Sequence, residues 1–191
     1  MERLALLSVF DKDGIVEFAR ALIELGFGLI ASGGTAKCLT DAGLEVTDVS
    51  EIVGGGPILG HRVVTLSREI HAGLLATEKD RPELEKLGIP WIDLVCVDLY
   101  PLEQTIAIPG VTLEQIIDMT DIGGPCMLRS AAKGNRIVIS QAAQRAEVID
   151  WLRQGEPDAA NFRNYLAYNA EEVVGDYCLI SGSARRDHLP V

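Results

Sequence analysis

The chain has few aromatic residues, few basic ones and no long apolar run. Phe, Trp and Tyr make up 5% of its 191 residues, although hydrophobic residues reach 48%. The core must therefore be built mainly from Leu, Ile, Val and Ala. Lys and Arg total 17 against 28 Asp and Glu, a net charge of −11. That balance argues against a nonspecific nucleic-acid binder, which needs a basic footprint. A small phosphorylated ligand remains compatible, because a few local cations outweigh a distant acidic surface. Cys38, Cys96, Cys126 and Cys178 form no C-x-x-C pair and have no histidine at ligand spacing, so no metal site is indicated. Three of them fall in apolar surroundings, as reduced thiols of a cytoplasmic protein do. No run approaches the ~20 apolar residues of a membrane span. The apolar stretch Leu4–Phe10 passes straight into Asp11-Lys12-Asp13 with no small-residue cleavage site, so no signal peptide is expected.

What is present reads as alternating strands and helices. Leu4–Val9 is a buried strand. A helix follows from about Asp13 to Leu25, with Ile15, Phe18, Ala19 and Leu22 on one face and Gly26 as its stop. Leu29–Ala31 is a second strand, Thr35–Ala42 a helix stopped by Gly43, and Val46–Val49 a third strand. This β-α-β-α-β pattern predicts an α/β fold: three layers, with a mostly parallel sheet between helices. Further on, Arg62–Leu66 reads as extended and Ile70–Ala76 as a short helix. Pro82–Leu87 reads as a helix, Asp93–Val97 and Ile137–Ile139 as strands. Thr112-x-x-Gln115 is a capping box. A helix runs from Pro125 to Lys133, another over Gln141–Gln154, and a last one from about Asp158 to near Val174. The expected organisation is one domain over residues 1–180 and a polar tail over 181–191.

The strongest local signal is Ser32-Gly33-Gly34-Thr35, where a strand turns into a helix. Unpaired N–H groups and the helix dipole favour an anion there, and the glycines allow close approach. Ser8 and Lys12 at another strand end, Asp98 and Tyr100 at a third, and the second Gly-Gly turn Asp121-Ile122-Gly123-Gly124 converge on the same edge. In open parallel sheets that edge holds ligands. Each residue also has an ordinary structural reading taken singly. Asp121 can be an N-cap, Lys133 a dipole-compensating lysine, Tyr100 a core tyrosine, and His71 a packed histidine.

Five segments occur in matching order: Leu7-Ser-Val-Phe-Asp-Lys12, Ala31-Ser-Gly-Gly-Thr-Ala-Lys37, Val46-Thr-Asp-Val-Ser50, Asp98-Leu-Tyr-Pro101 and Asp121-Ile-Gly-Gly-x-x-x-Leu-Arg-x-Ala-Ala-Lys133. Over roughly residues 3–175 the chain resembles the inosine monophosphate (IMP) cyclohydrolase domain of the bifunctional purine-biosynthesis enzyme. That domain is similar in fold to methylglyoxal synthase. The resemblance implies closure of the purine ring: the carboxamide nitrogen of a formylated aminoimidazole carboxamide ribotide attacks the formyl carbon, and loss of water gives IMP. It implies no cofactor and no metal. Ser8, Lys12, Ser32, Gly33, Gly34 and Thr35 would hold the 5′-phosphate, and Arg62 and Thr65 would border the base. Asp98 would lie at the carboxamide, Ile122, Gly123 and Gly124 would line the site with backbone donors, and Tyr100, Asp121 and Lys133 would handle protons. A homodimer is implied, as is a separate formyltransferase, because relatives usually carry a formyl-transfer domain after this one.

Three positions depart from the family pattern. Val64 stands where a lysine would stabilise the formyl oxygen, Asp98 where an asparagine precedes Leu-Tyr-Pro, and Phe10 where a serine helps hold phosphate. His61 or Arg68 could replace the missing cation. The competing expectation is therefore a purine-nucleotide-binding homologue without turnover. A methylglyoxal-forming lyase is disfavoured, because no Gly-Asp-Pro acidic motif is present.

Overall fold

The structure is a computed structural model and describes residues 3–56, 58–59 and 63–189. His61 and Arg62 lie outside the described residues. The strands are β1 (Arg3–Ser8), β2 (Phe27–Ala31), β3 (Thr47–Asp48), β4 (Leu94–Val97) and β5 (Ile137–Ile139). Every pairing is parallel, in the order β3-β2-β1-β4-β5. The helices are α1 (Ile15–Glu24), α2 (Gly33–Asp41), α3 (Val49–Val53), α4 (Arg68–Leu75), α5 (Arg81–Leu87), α6 (Leu102–Ile106), α7 (Leu113–Asp118), α8 (Gly123–Lys133), α9 (Gln144–Arg153) and α10 (Ala159–Arg186).

The periodicities explain these elements. Helix α1 buries Ile15, Phe18, Ala19 and Leu22, the i, i+3, i+4, i+7 stripe of an amphipathic helix. Strand β4 is buried at all four positions, as a strand covered on both faces must be. Parallel neighbours need crossovers, and those crossovers are right-handed. The chain steps from β1 outward through β2 to β3, then returns to the other side of β1 for β4 and β5. Opposite directions place the crossover helices on opposite faces. Accordingly α1 packs with α2 and α9, and α8 packs with α4 and α10. The order reverses at β1, so a crevice opens at the carboxyl ends of β1 and β4. The register pairs Leu7 with Ala31 and Ser8 with Val97. Ser8, Ser32 and Asp98 therefore arrive at one edge.

Some boundaries differ from the sequence reading. β3 is shortened to two residues because Asp48 caps α3, accepting from the Ser50 N–H at 2.8 Å. Val63 makes only an isolated bridge with Ile58, and 64–67 is bent rather than extended. The segment read as a polar tail continues α10 as far as Arg186. Its helical state follows from packing: Tyr177, Ile180 and Ala184 close a second apolar cluster with Leu102 and Ile116. Of the cysteines only Cys96 is buried; Cys38 and Cys126 are half-buried and Cys178 is exposed.

Two glycines of one residue type make opposite predictions. A Cβ on Gly134 would land on the Leu74 carbonyl, which is backbone and cannot step aside. Gly134→Ala should destabilise by ~1–3 kcal/mol. Gly175 lies within α10 with nothing near its would-be Cβ. Gly175→Ala should stabilise by up to ~1 kcal/mol. Urea midpoints of both variants check the pair.

Candidate functional site

The cradle assembles from β1, β2 and the start of α2. The Ser8 and Ser32 hydroxyls are 3.0 Å apart. Ser32 makes no capping bond with its side chain, so its hydroxyl and that of Ser8 face one another across the two strand ends. Lys12 folds back over the turn. Its Nζ donates to the carbonyls of Val9 and Phe10, the latter at 2.9 Å, and lies 3.8 Å from where a Cβ of Gly34 would sit. Gly33 has φ +50°, a left-handed conformation that glycine adopts without strain. An ammonium and a helix N-terminus thus face the same space, a fitting environment for a phosphate dianion. Thr35 is placed differently from expectation. Its buried hydroxyl accepts from the Val9 N–H and donates to the Val9 carbonyl, both at 3.1 Å. It staples α2 to the loop after β1, and that hydroxyl is already committed within the protein.

A second group occupies the crevice between β1 and β4. The Asp98 carboxylate accepts the Phe10 N–H and faces Arg145 at 3.7 Å. Arg145, buried, also donates to the Asp13 carbonyl at 2.8 Å. Asp98 therefore braces the loop of residues 9–13. Burial raises its pKa from the ordinary aspartate value, while the Phe10 N–H and the Arg145 charge oppose the shift. Burial also pushes the neighbouring Cys96 thiol up to about 11, which keeps it protonated and unreactive. Above Asp98 the Phe10 and Tyr100 rings meet with centroids 5.5 Å apart, tilted by 59°.

Asp121 sits at the entrance to α8. Its carboxylate accepts the Gly124 N–H at 3.0 Å and is further bonded by the Gly123 and Tyr100 N–H groups. Burial nevertheless dominates and raises its pKa; the three N–H donors oppose that shift, and the negative charge of Asp98 adds to it. The Tyr100 hydroxyl is raised as well, by burial first and by Asp121 second, and so stays neutral. The glycine N–H groups expected to serve a ligand are thus turned to Asp121. A Cβ on Gly124 would strike the Asp121 carboxylate, and one on Gly123 would lie 2.7 Å from the Thr65 hydroxyl. Thr65 is buried against the start of α8, and Ile122 is exposed beside it.

Lys133 is not brought to this group within the chain. It ends α8 and is exposed, and ten residues of helix separate it from Gly123 by ~15 Å. Val64 packs against the apolar core. Arg68, exposed at the start of α4, pairs with Glu69 at 3.2 Å. His71 is half-buried with Nδ1 2.8 Å from the Ser130 hydroxyl, and burial lowers its pKa.

Two functional side chains escape a reading of the sequence. Arg145 lies in the first turn of α9, and only its burial marks it as an internal cation. Tyr177 lies in α10 and accepts the Asp121 backbone N–H at 2.7 Å while donating to the Met119 carbonyl at 3.3 Å. It carries no motif. A cavity of about 660 Å³ at the opposite end of the sheet, lined by Arg3, Arg81, Trp91 and Asp93, shares no residue with the site.

Arg145→Met leaves the Asp98 charge without its partner and should cost roughly 3 kcal/mol. Adding Asp98→Asn should restore much of that loss, as urea midpoints of the single and double variants will show. The raised pKa of Asp121 makes a separate prediction. Its folded form holds the proton more tightly than the unfolded chain does. Its contribution to stability is therefore greatest below about pH 4, the ordinary carboxylate value, and is lost as pH rises through the folded pKa. Asp121→Asn should gain stability relative to the wild type as pH is raised from acid to neutral, measured as paired unfolding midpoints.

Residues 14–126 match the family model described as an MGS-like domain. The chain is 47% identical over 181 residues to the bifunctional purine biosynthesis protein PurH of Desulfitobacterium hafniense, covering 93% of this chain and 35% of that protein. It is 51% identical over 184 residues to PurH of Nostoc punctiforme, covering 93% and 36%. The chain spans about a third of the length of these curated relatives. A solved structure described as the crystal structure of ForH superposes with a TM-score of 0.78 at 34% identity, covering 96% of this chain and 99% of that one. With five parallel strands, a matching family model over more than half its length and a superposable relative, the chain belongs to the MGS-like domain family.

Proposed function

We propose that this domain closes the purine ring, converting a formylated aminoimidazole carboxamide ribotide to IMP and water. The observation that supports it best is the meeting, across the β1/β4 crevice, of a phosphate cradle (Ser8, Lys12, Ser32, Gly33, Gly34) with a half-buried Asp121 beside Tyr100. The relatives at 47% and 51% identity, named bifunctional purine biosynthesis proteins, support the choice of substrate.

The reaction is intramolecular, so holding the carboxamide nitrogen against the formyl carbon supplies much of the rate. The cradle anchors the phosphate and Tyr100 approaches the reacting end. As the C–N bond forms, the carboxamide nitrogen loses a proton and the formyl oxygen gains one; the C–O bond then breaks as that oxygen takes a second proton and leaves as water, while the former formamido nitrogen gives up its N–H proton and forms the C=N bond. Burial leaves Asp121 able to take up a proton, and the neutral Tyr100 hydroxyl can donate one. No metal or organic cofactor is required by this sequence of proton transfers. The proposal carries with it a cytoplasmic homodimer and a formyl-transfer activity that supplies the substrate.

A second reading rests on Val64. Where the family resemblance calls for a cation at the formyl oxygen, this chain buries an aliphatic side chain against its core. Loss of one oxyanion donor costs about 10²–10³ in rate in other enzymes. On this reading the domain binds purine monophosphates and turns over slowly.

Product absorbance with the formylated ribotide separates the two. Ring closure faster than the spontaneous reaction, abolished by Asp121→Asn with ligand affinity kept, supports catalysis. Absence of acceleration alongside thermal stabilisation by IMP selects the binding reading. Lys12→Met should weaken IMP at least ~10-fold and leave inosine, which lacks the phosphate, unchanged. Equal losses for both ligands would remove Lys12 from the cradle.

A further inference from the structure

The two aromatic rings at the mouth of the crevice have no role in packing the core. Phe10 is 47% exposed and Tyr100 40% exposed, in a chain with only 5% aromatic residues. They project from the carboxyl ends of two adjacent strands, β1 and β4, and touch each other at 5.5 Å. The Phe10 backbone is pinned on both sides: its N–H is held by Asp98 and its carbonyl accepts from Lys12 at 2.9 Å. Asp98 is in turn held by Arg145 from α9. The ring is therefore presented from a braced loop, two residues from the ammonium of the cradle.

We propose that Phe10 and Tyr100 form a stacking wall for the planar ring of the bound ribotide, with Phe10 as a specificity-determining residue. This rests on the ribotide reading above. A phenyl ring donates no hydrogen bond, so Phe10 gives nothing to a phosphate. It offers a flat apolar face, and such faces bind heteroaromatic rings of any base. A braced backbone keeps the ordering cost of that contact low. The wall shifts part of the ligand's hold from the phosphate to the ring. It thereby favours nucleotides and their imidazole precursors over simple sugar phosphates that the cradle alone would accept.

Isothermal titration of the wild type, Phe10→Ala and Phe10→Trp with IMP and with ribose 5-phosphate tests the wall. Phe10→Ala should weaken IMP about 5- to 150-fold, the range for loss of one base–aromatic stack, and leave ribose 5-phosphate within about twofold. Phe10→Trp should keep the IMP affinity. The exposure of Phe10 makes both variants foldable, and an unchanged thermal midpoint verifies it. If the wild type binds both ligands and Phe10→Ala leaves IMP unchanged, or weakens both equally, the wall is overturned while the cradle stands. A wild type that binds neither ligand overturns the ribotide reading and the wall together.

Discussion

The Asp98 carboxylate is the point where the site is tied to the fold. It follows a fully buried strand, takes the N–H of Phe10 from the loop after the neighbouring β1 and faces a buried guanidinium from α9. A charge in that position would be expensive alone, because burial penalises it. With Arg145 beside it the charge becomes a brace. The loop of residues 9–13 then has a fixed path, and that path sets the position of Lys12 over the Gly-Gly turn and of the Phe10 ring above the crevice. Asp98 and the buried Arg145, which also holds the Asp13 carbonyl, thus brace the loop together.

Asp121 shows a second balance of the same kind. Three N–H groups surround its carboxylate, and burial still raises its pKa. Its backbone is held by Tyr177 from α10, whose own hydroxyl burial pushes up to about 12. The long last helix therefore does more than cover the sheet: it fixes the chain where the half-buried carboxylate enters α8. Gly124 is required there by close approach, since a side chain would strike the carboxylate it serves. The two polar groups are consequently built on different supports: that of Ser8, Lys12 and Ser32 on β1, β2 and α2, and that of Asp121 and Tyr100 on β4, α8 and α10.

The run of strands and helices was legible because the apolar periodicity is strong. The four residues of α1 placed on one face are the four that are buried, and Thr112 with Gln115 forms the capping box its spacing announced. The Gly33-Gly34 turn was legible because strand, glycine turn and helix follow one another in sequence. Where the reading failed, contacts from far along the chain decided the outcome. Thr35 looked like a phosphate donor until Val9 occupied its hydroxyl on both sides. Residues 181–186 looked like a tail because their polar face is most of what the sequence displays, whereas Ala184, with Tyr177 and Ile180 just before it, docks onto α6 and α7.

By itself the sequence determined an α/β chain with reduced thiols, an acidic surface and a turn suited to an anion, because those properties depend on local spacing and composition. The tertiary structure alone decided which polar groups remain free for a ligand and which are consumed within the protein. It turned Gly123, Gly124 and Thr35 inward, separated Lys133 from Asp121 by the length of a helix, and brought Arg145 and Tyr177 to the site from late in the chain. Hydrogen-bond partners are shared out between segments far apart in sequence, and only packing fixes which donor meets which acceptor.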